Sequence, residues 1–142
     1  MSAAANTYFR TEPAIAGGVE LETSRREIVS RVRDLAATRF APRAAHYDRT
    51  TRFPAEDFED LFEAGLLGAP LPREYGGLGI GPHRRDAFTL WMMTKEIAKA
   101  DLSLARCWEG HTNSLVLLDA IADESQKARW YEGVVARGEK WV

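Results

Sequence analysis

Arg106, Glu109, Gly110, Thr112 and Asn113, with His111 among them, interrupt a stretch that is otherwise largely apolar, and they are the first place where chemistry could sit. Arg106, Glu109 and Asn113 are spaced by three and four residues, which on a helix puts them on one face. Two arrangements fit that pattern. In one, the face is an exposed polar stripe whose Arg106–Glu109 ion pair contributes on the order of a few tenths of a kcal/mol. In the other, the five residues line a substrate-binding cavity, with Gly110 leaving room for a ligand. The pattern alone leaves both open.

Other reactive side chains are scattered. His46, His83 and His111 lack the close ligand spacing of a zinc site, so no metal is expected. Cys107 lies in an apolar segment and reads as a small hydrophobe rather than a nucleophile. Ser103 and Ser114 have no accompanying His and Asp pattern. The run Gly77-Leu78-Gly79-Ile80-Gly81 is not a dinucleotide fingerprint, which needs G-x-G-x-x-G between a strand and a helix. Here Pro82 stands three residues after Gly79, behind a Pro-rich loop. The glycines are expected to let the loop turn tightly and pack close to its neighbours. No residue of the chain is assigned a catalytic role.

The elements that would carry these residues read as helices. Residues 1–20 are small and polar and are expected to form a flexible tail; residues 21–142 form one helical domain. Ser24 and Glu27 have the spacing of a capping box for a first long helix with Ile28, Val32, Leu35, Ala36 and Phe40 inward. Pro42 is expected to stop that helix and Pro54 to open a short second one, which Gly65 closes. Further helices are expected over 84–100, 102–122 and 124–136. Asp101 breaks or caps the chain between the first two, and Gly138 ends the last. The helix over 102–122 is apolar nearly all round, which predicts a central position.

Composition bounds the class. A chain of 142 residues is one domain's worth, 45% apolar and 28% charged. The formal charge of −2 gives no electrostatic reason to expect nucleic acid or an acidic membrane as partner. The single cysteine excludes an internal disulfide and fits a reducing compartment. No apolar run approaches membrane-spanning length, and the first residues lack the pattern of a signal or transit peptide. A cytoplasmic protein is the expectation.

Several motifs in order carry a resemblance. They are Pro42, Asp48, Phe53-Pro54, Leu61, Ala64-Gly65-Leu66-Leu67-Gly68, Pro72, Glu74-Tyr75-Gly76-Gly77 and Gly79. Glu96-Ile97-Ala98-Lys99-Ala100-Asp101, Ser103-Leu104-Ala105, Gln126-Lys127 and Gly138-Glu139-Lys140 follow. Together, over about residues 25 to 140, they resemble the N-terminal α-helical domain of the acyl-CoA dehydrogenase family.

The resemblance implies an all-α fold of about five helices, cut off before a middle β-domain. It implies a flavoenzyme in which a glutamate removes the α-proton of an acyl-CoA thioester while the β-hydride passes to FAD. Both the flavin contacts and that glutamate would come from regions beyond Val142. A homo-oligomer (tetramer or dimer) in the full-length form and electron-transfer flavoprotein or a similar acceptor are implied as partners. The helix carrying Arg106, Glu109, Gly110, Thr112 and Asn113 would wall the acyl pocket. The medium-chain type is similar in carrying a Glu-Gly pair there, which matches Glu109-Gly110 if this chain has one extra residue before Gln126. Glutaryl-type members use an arginine of this helix to hold a far carboxylate. Arg106 matches it only with one inserted residue near Asp101-Leu102, and the companion glutamate falls near Ala98. The surface meeting the remaining domains would be apolar. Flavin-dependent monooxygenases share this domain and are the alternative, as is a non-catalytic, truncated helical interaction module.

Overall fold

The computed structural model describes residues 22–142, so the tail expected over residues 1–20 lies outside the described residues. The described chain is all-α, with five helical stretches and no strand among the described residues. We number them α1 to α5.

Helix α1 runs through three consecutive segments, Thr23–Leu35, a π-helical turn at Ala36–Phe40, and Ala41–Thr50. Two expectations are corrected here. Pro42 does not stop the helix. It falls at the start of the third segment, directly after the π turn, where Ala41 N–H donates to the Ala36 carbonyl. A proline costs a helix one donor and crowds the carbonyl four residues back; a wider turn just ahead relieves both problems. The Ser24–Glu27 capping box does not form either. The helix starts earlier, at Thr23, with the Glu22 carbonyl accepting from Arg25 and Arg26 and no side-chain cap. The buried flank is Val29, Val32, Ala36 and Phe40, with Ile28 and Leu35 half-buried at its margin.

Thr51, in a left-handed conformation, ends α1, and Pro54 caps α2 (Ala55–Glu63). Phe58 and Leu61 are fully buried, while Phe53 stacks on Phe58 with ring centroids 5.1 Å apart. The helix ends as predicted at Gly65, whose positive φ (67°) admits a double closure. Gly65 N–H donates to Phe62 and Leu66 N–H to Leu61, which satisfies two orphan carbonyls at once.

The loop over 65–86 contributes part of the core. Leu66, Leu67, Ala69, Leu71 and Ile80 are buried. The loop folds back on itself through Gly79 N–H to Leu71 (2.9 Å) and Ile80 N–H to Ala69 (3.0 Å). Gly77 packs against the Leu71 peptide so closely that an added Cβ would overlap its carbonyl oxygen. The expected close packing of the glycine loop is therefore a backbone-to-backbone contact.

Helix α3 (Ala87–Ala100) starts three residues later than expected, because Arg85 is left-handed and Asp86 caps the Thr89 N–H. Asp101 then ends α3 and caps α4 (Leu102–Ile121), its carboxylate accepting from Ser103 and Leu104 N–H. Helix α5 (Glu124–Arg137) opens on a reciprocal Asp123–Gln126 capping box and closes on left-handed Gly138. Helices α1, α3 and α4 pack in succession, and α5 returns against the loop at Arg73–Tyr75. Tyr131 of α5, fully buried, donates to Asp119 of α4 (3.0 Å), and Arg84 pairs with the same carboxylate.

Candidate functional site

Helix α4 presents two unlike flanks. Leu104, Ala105, Trp108, His111, Thr112 and Leu115 are buried against the rest of the domain. On the opposite flank run Leu102, Arg106, Glu109, Gly110, Asn113, Leu117 and Ile121, a helical 3–4 spacing along the whole element. Leu102 is 74% exposed, Leu117 57% and Ile121 70%. The helix predicted to be central from its composition is thus buried along one flank and uncovered along the other by the described residues. An uncovered stripe with apolar ends and a polar middle is unusual for a solvated face.

The five sequence-selected residues divide between these flanks. Arg106, Glu109, Gly110 and Asn113 lie on the uncovered side. The Arg106 guanidinium donates to Glu109 Oε2 at 2.5 Å, with the arginine side chain exposed and the glutamate half-buried. Thr112 is buried and its hydroxyl donates to the Glu109 carbonyl at 3.2 Å. Gly110 is half-buried, and a Cβ placed on it would have nothing within 4 Å. Packing among the described residues therefore does not require the glycine, and they leave space over it.

In the sequence, His111 falls within the polar interruption of this helix but is assigned no role. It is fully buried, with Nε2 3.0 Å from the Leu67 carbonyl and Nδ1 accepting the Trp141 N–H at 3.1 Å. Burial holds its pKa down at about 4, partly offset by the Leu67 hydrogen bond. Its position between Gly110 and Thr112, inside an apolar helix, marks it as unusual but does not reveal its partners. Cys107 is half-buried rather than sealed, and burial, then the charge of Asp101, push its thiol pKa up, away from the thiolate a nucleophile needs.

Flavin binding finds no fit among the groups best suited to it. A dinucleotide's pyrophosphate is usually met by free backbone N–H groups or a helix N-terminus. The loop amides of Gly76, Gly77 and Gly79 are already spent on Arg73, Pro72 and Leu71 carbonyls. The N-terminus of α4 is occupied by the carboxylate of Asp101. Among the described residues no group of three or more His, Cys, Asp or Glu could hold a metal ion, and no helix is long and apolar enough to cross a membrane.

Residues 22–139 match the family model described as "Acyl-CoA dehydrogenase, N-terminal domain". The chain belongs to the acyl-CoA dehydrogenase family. It is 36% identical over 81 residues to the probable acyl-CoA dehydrogenase YngJ of Bacillus subtilis, covering 57% of this chain and 20% of that protein. With the short-chain-specific acyl-CoA dehydrogenase of Clostridium acetobutylicum it shares 31% identity over 120 residues, 83% of this chain and 30% of the relative. With L-evernosamine nitrososynthase of a Micromonospora strain it shares 43% over 70 residues, 49% of this chain and 16% of the relative. The chain thus spans less than a third of the length of these relatives.

Proposed function

We propose that this domain forms one wall of the acyl pocket of an FAD-dependent acyl-CoA dehydrogenase, an enzyme that introduces an α,β double bond into an acyl-CoA thioester. The observation that carries the proposal is Gly110, a helix-interior glycine in the middle of the uncovered flank of α4, where nothing among the described residues beyond its own helix backbone lies within 4 Å of where its Cβ would be. Glycine in a helix costs about 1 kcal/mol relative to alanine, so a site with room for a methyl group has a use for the space.

In this reading Gly110 leaves a path for the acyl chain, and Leu117 and Ile121 shield it from water. Arg106, Glu109 and Asn113 flank the opening. Thr112 supports the face from its buried side by tying its hydroxyl to the Glu109 carbonyl. Arg106 is held by Glu109, so a substrate with a far carboxylate would have to displace an existing partner. That favours simple acyl chains over diacid esters. The chain's own part is binding and exclusion of water, since a dry site strengthens the electrostatics that proton removal needs. The flavin and the base belong to the rest of the protein, as do the oligomer contacts and any electron-transfer flavoprotein contact.

A second reading is supported by the likeness to a relative named as a nitrososynthase. In it the same domain serves an oxygen-using flavoenzyme. The test is to express the whole reading frame to which these residues belong and add acyl-CoA esters of graded length under nitrogen. Bleaching of a flavin band by acyl-CoA, weakened by Gly110→Leu, supports the dehydrogenase. A flavin that no acyl-CoA bleaches, with oxygen consumed on another substrate, favours the second reading. Protein without flavin sinks both and leaves a helical interaction module.

A further inference from the structure

Three consecutive residues after α5, Glu139 to Trp141, are tied down one after another. Glu139 N–H donates to Gly133 at 3.0 Å. Lys140 Nζ stands 3.8 Å from Glu59 of α2. Trp141 packs its ring edge-on against Trp130, with centroids 5.7 Å apart, and gives its N–H to His111. None of this segment is helical. Its deepest anchor is therefore a side chain of α4, thirty residues earlier in the chain.

The chemistry of that anchor is fixed by its two partners. A carbonyl oxygen can only accept, so the His111 nitrogen facing Leu67, Nε2, carries the proton. A backbone N–H can only donate, so Nδ1 facing Trp141 carries the lone pair. The ring is thereby a neutral, single-tautomer bridge between the loop at Leu67 and the segment at Trp141. Phe58 and Trp108 pack around it, with ring centroids 6.0 and 6.2 Å away.

We propose that His111 is a positioning residue: its Nε2–H tautomer pins Trp141 to α4, so the segment leaving α5 is held in register with the face of Gly110, the residue just before it. The consequence for the acyl pocket rests on the reading of α4 given above; the pin itself does not. It makes the direction of the chain at Trp141 a property of the same helix that offers the uncovered wall.

Nitrogen-15 NMR of histidine-labelled protein tests the tautomer, and amide exchange at Trp141 tests the pin. The expected result is a neutral His111 protonated at Nε2 and a protected Trp141 amide. His111→Phe should speed exchange at Trp141 by about 10-fold or more, the worth of one buried hydrogen bond, while core amides such as Leu115 hold. His111→Gln offers one acceptor and one donor and should restore most of the protection. Should the phenylalanine variant fail to fold, the tautomer and the glutamine variant decide. An Nδ1–H tautomer overturns the pin, as does a Trp141 amide that exchanges in wild type as fast as an unprotected one. Trp141 exchange unchanged in a folded phenylalanine variant overturns it too. Because exchange is read without flavin or substrate, a failure of the pin is distinct from a failure of the pocket wall, which only the acyl-CoA titration reports.

Discussion

Arg43 of α1 and Asp57 of α2 form an ion pair at 2.7 Å in which the carboxylate is fully buried and the guanidinium is not. The guanidinium also reaches Asp60 at 2.5 Å and Glu56 at 3.4 Å, whereas the second Asp57 oxygen is buried without a partner. Burial pushes the Asp57 pKa up to about 6, against the pull of Arg43. Removing the two partners should therefore have unequal effects. Arg43→Met leaves a buried, unpaired carboxylate and should cost about 3 kcal/mol at pH 7.5. At pH 5 the carboxyl takes up a proton and the loss should shrink. Asp57→Asn leaves Arg43 with Asp60 and Glu56 and should stay within about 1 kcal/mol of wild type. Urea unfolding at the two pH values checks this; an Arg43→Met deficit that does not change with pH would refute it.

The buried histidine gives the domain an opposite pH dependence. Its folded pKa, about 4, lies below the ordinary value of 6.5, so between those values the unfolded chain binds the extra proton. Stability from His111 is then fully present above pH 6.5 and is lost as pH falls toward 4. Asp57, with its raised pKa, favours the folded state on the acid side and loses that contribution as pH rises through about 6. The two slopes oppose each other over pH 4 to 6. Asp57→Asn should accordingly steepen the fall in stability on acidification, and His111→Gln should flatten it. Thermal melts across pH 4.5 to 7.5 in both variants would show the opposite signs.

Gly77 and Leu71 make a similarly specific claim about the loop. An alanine at 77 would put its Cβ 2.6 Å from the Leu71 Cβ and over the Leu71 carbonyl, where backbone, not a flexible side chain, must give way. Gly77→Ala is expected to cost at least about 3 kcal/mol or to prevent folding, in the class of overpacking mutations. Gly65 has open space around it, so Gly65→Ala should cost only the left-handed strain, about 1 kcal/mol. Denaturation midpoints of the two variants measured side by side decide the order.

What could be read in advance followed the range of the interaction. Pro54, Gly65, Asp101 and Gly138 do their work within a few residues, and each stands where its chemistry predicts. Pro42 misled because its cost is relieved by a π turn just upstream, a property of the whole of α1 rather than of the dipeptide. Ser24 and Glu27 have the right spacing, but the helix starts before them. Tyr131 escaped notice and His111 was given no role because their partners are distant in sequence: Asp119 for the first, Leu67 and Trp141 for the second. For the site, periodicity placed Arg106, Glu109 and Asn113 on one face. Only three-dimensional packing shows that this face is uncovered and that Thr112 turns inward.

Gly110 offers the most direct test of why that face exists. With nothing among the described residues beyond its own helix backbone within 4 Å of an added Cβ, Gly110→Ala should be accommodated without displacement. Replacing glycine by alanine in a helix interior then stabilises by about 1 kcal/mol, through backbone entropy and better-shielded hydrogen bonds. A raised melting temperature is thus expected for the domain alone. If the face is a pocket wall, the same methyl group should weaken acyl-CoA binding in the complete protein, and Gly110→Leu more so, with the melting temperature not reduced by the alanine. Stability and binding would then move in opposite directions, as they do where a residue serves a ligand and not the fold. An alanine variant that is destabilised would show that the glycine serves the domain's own packing.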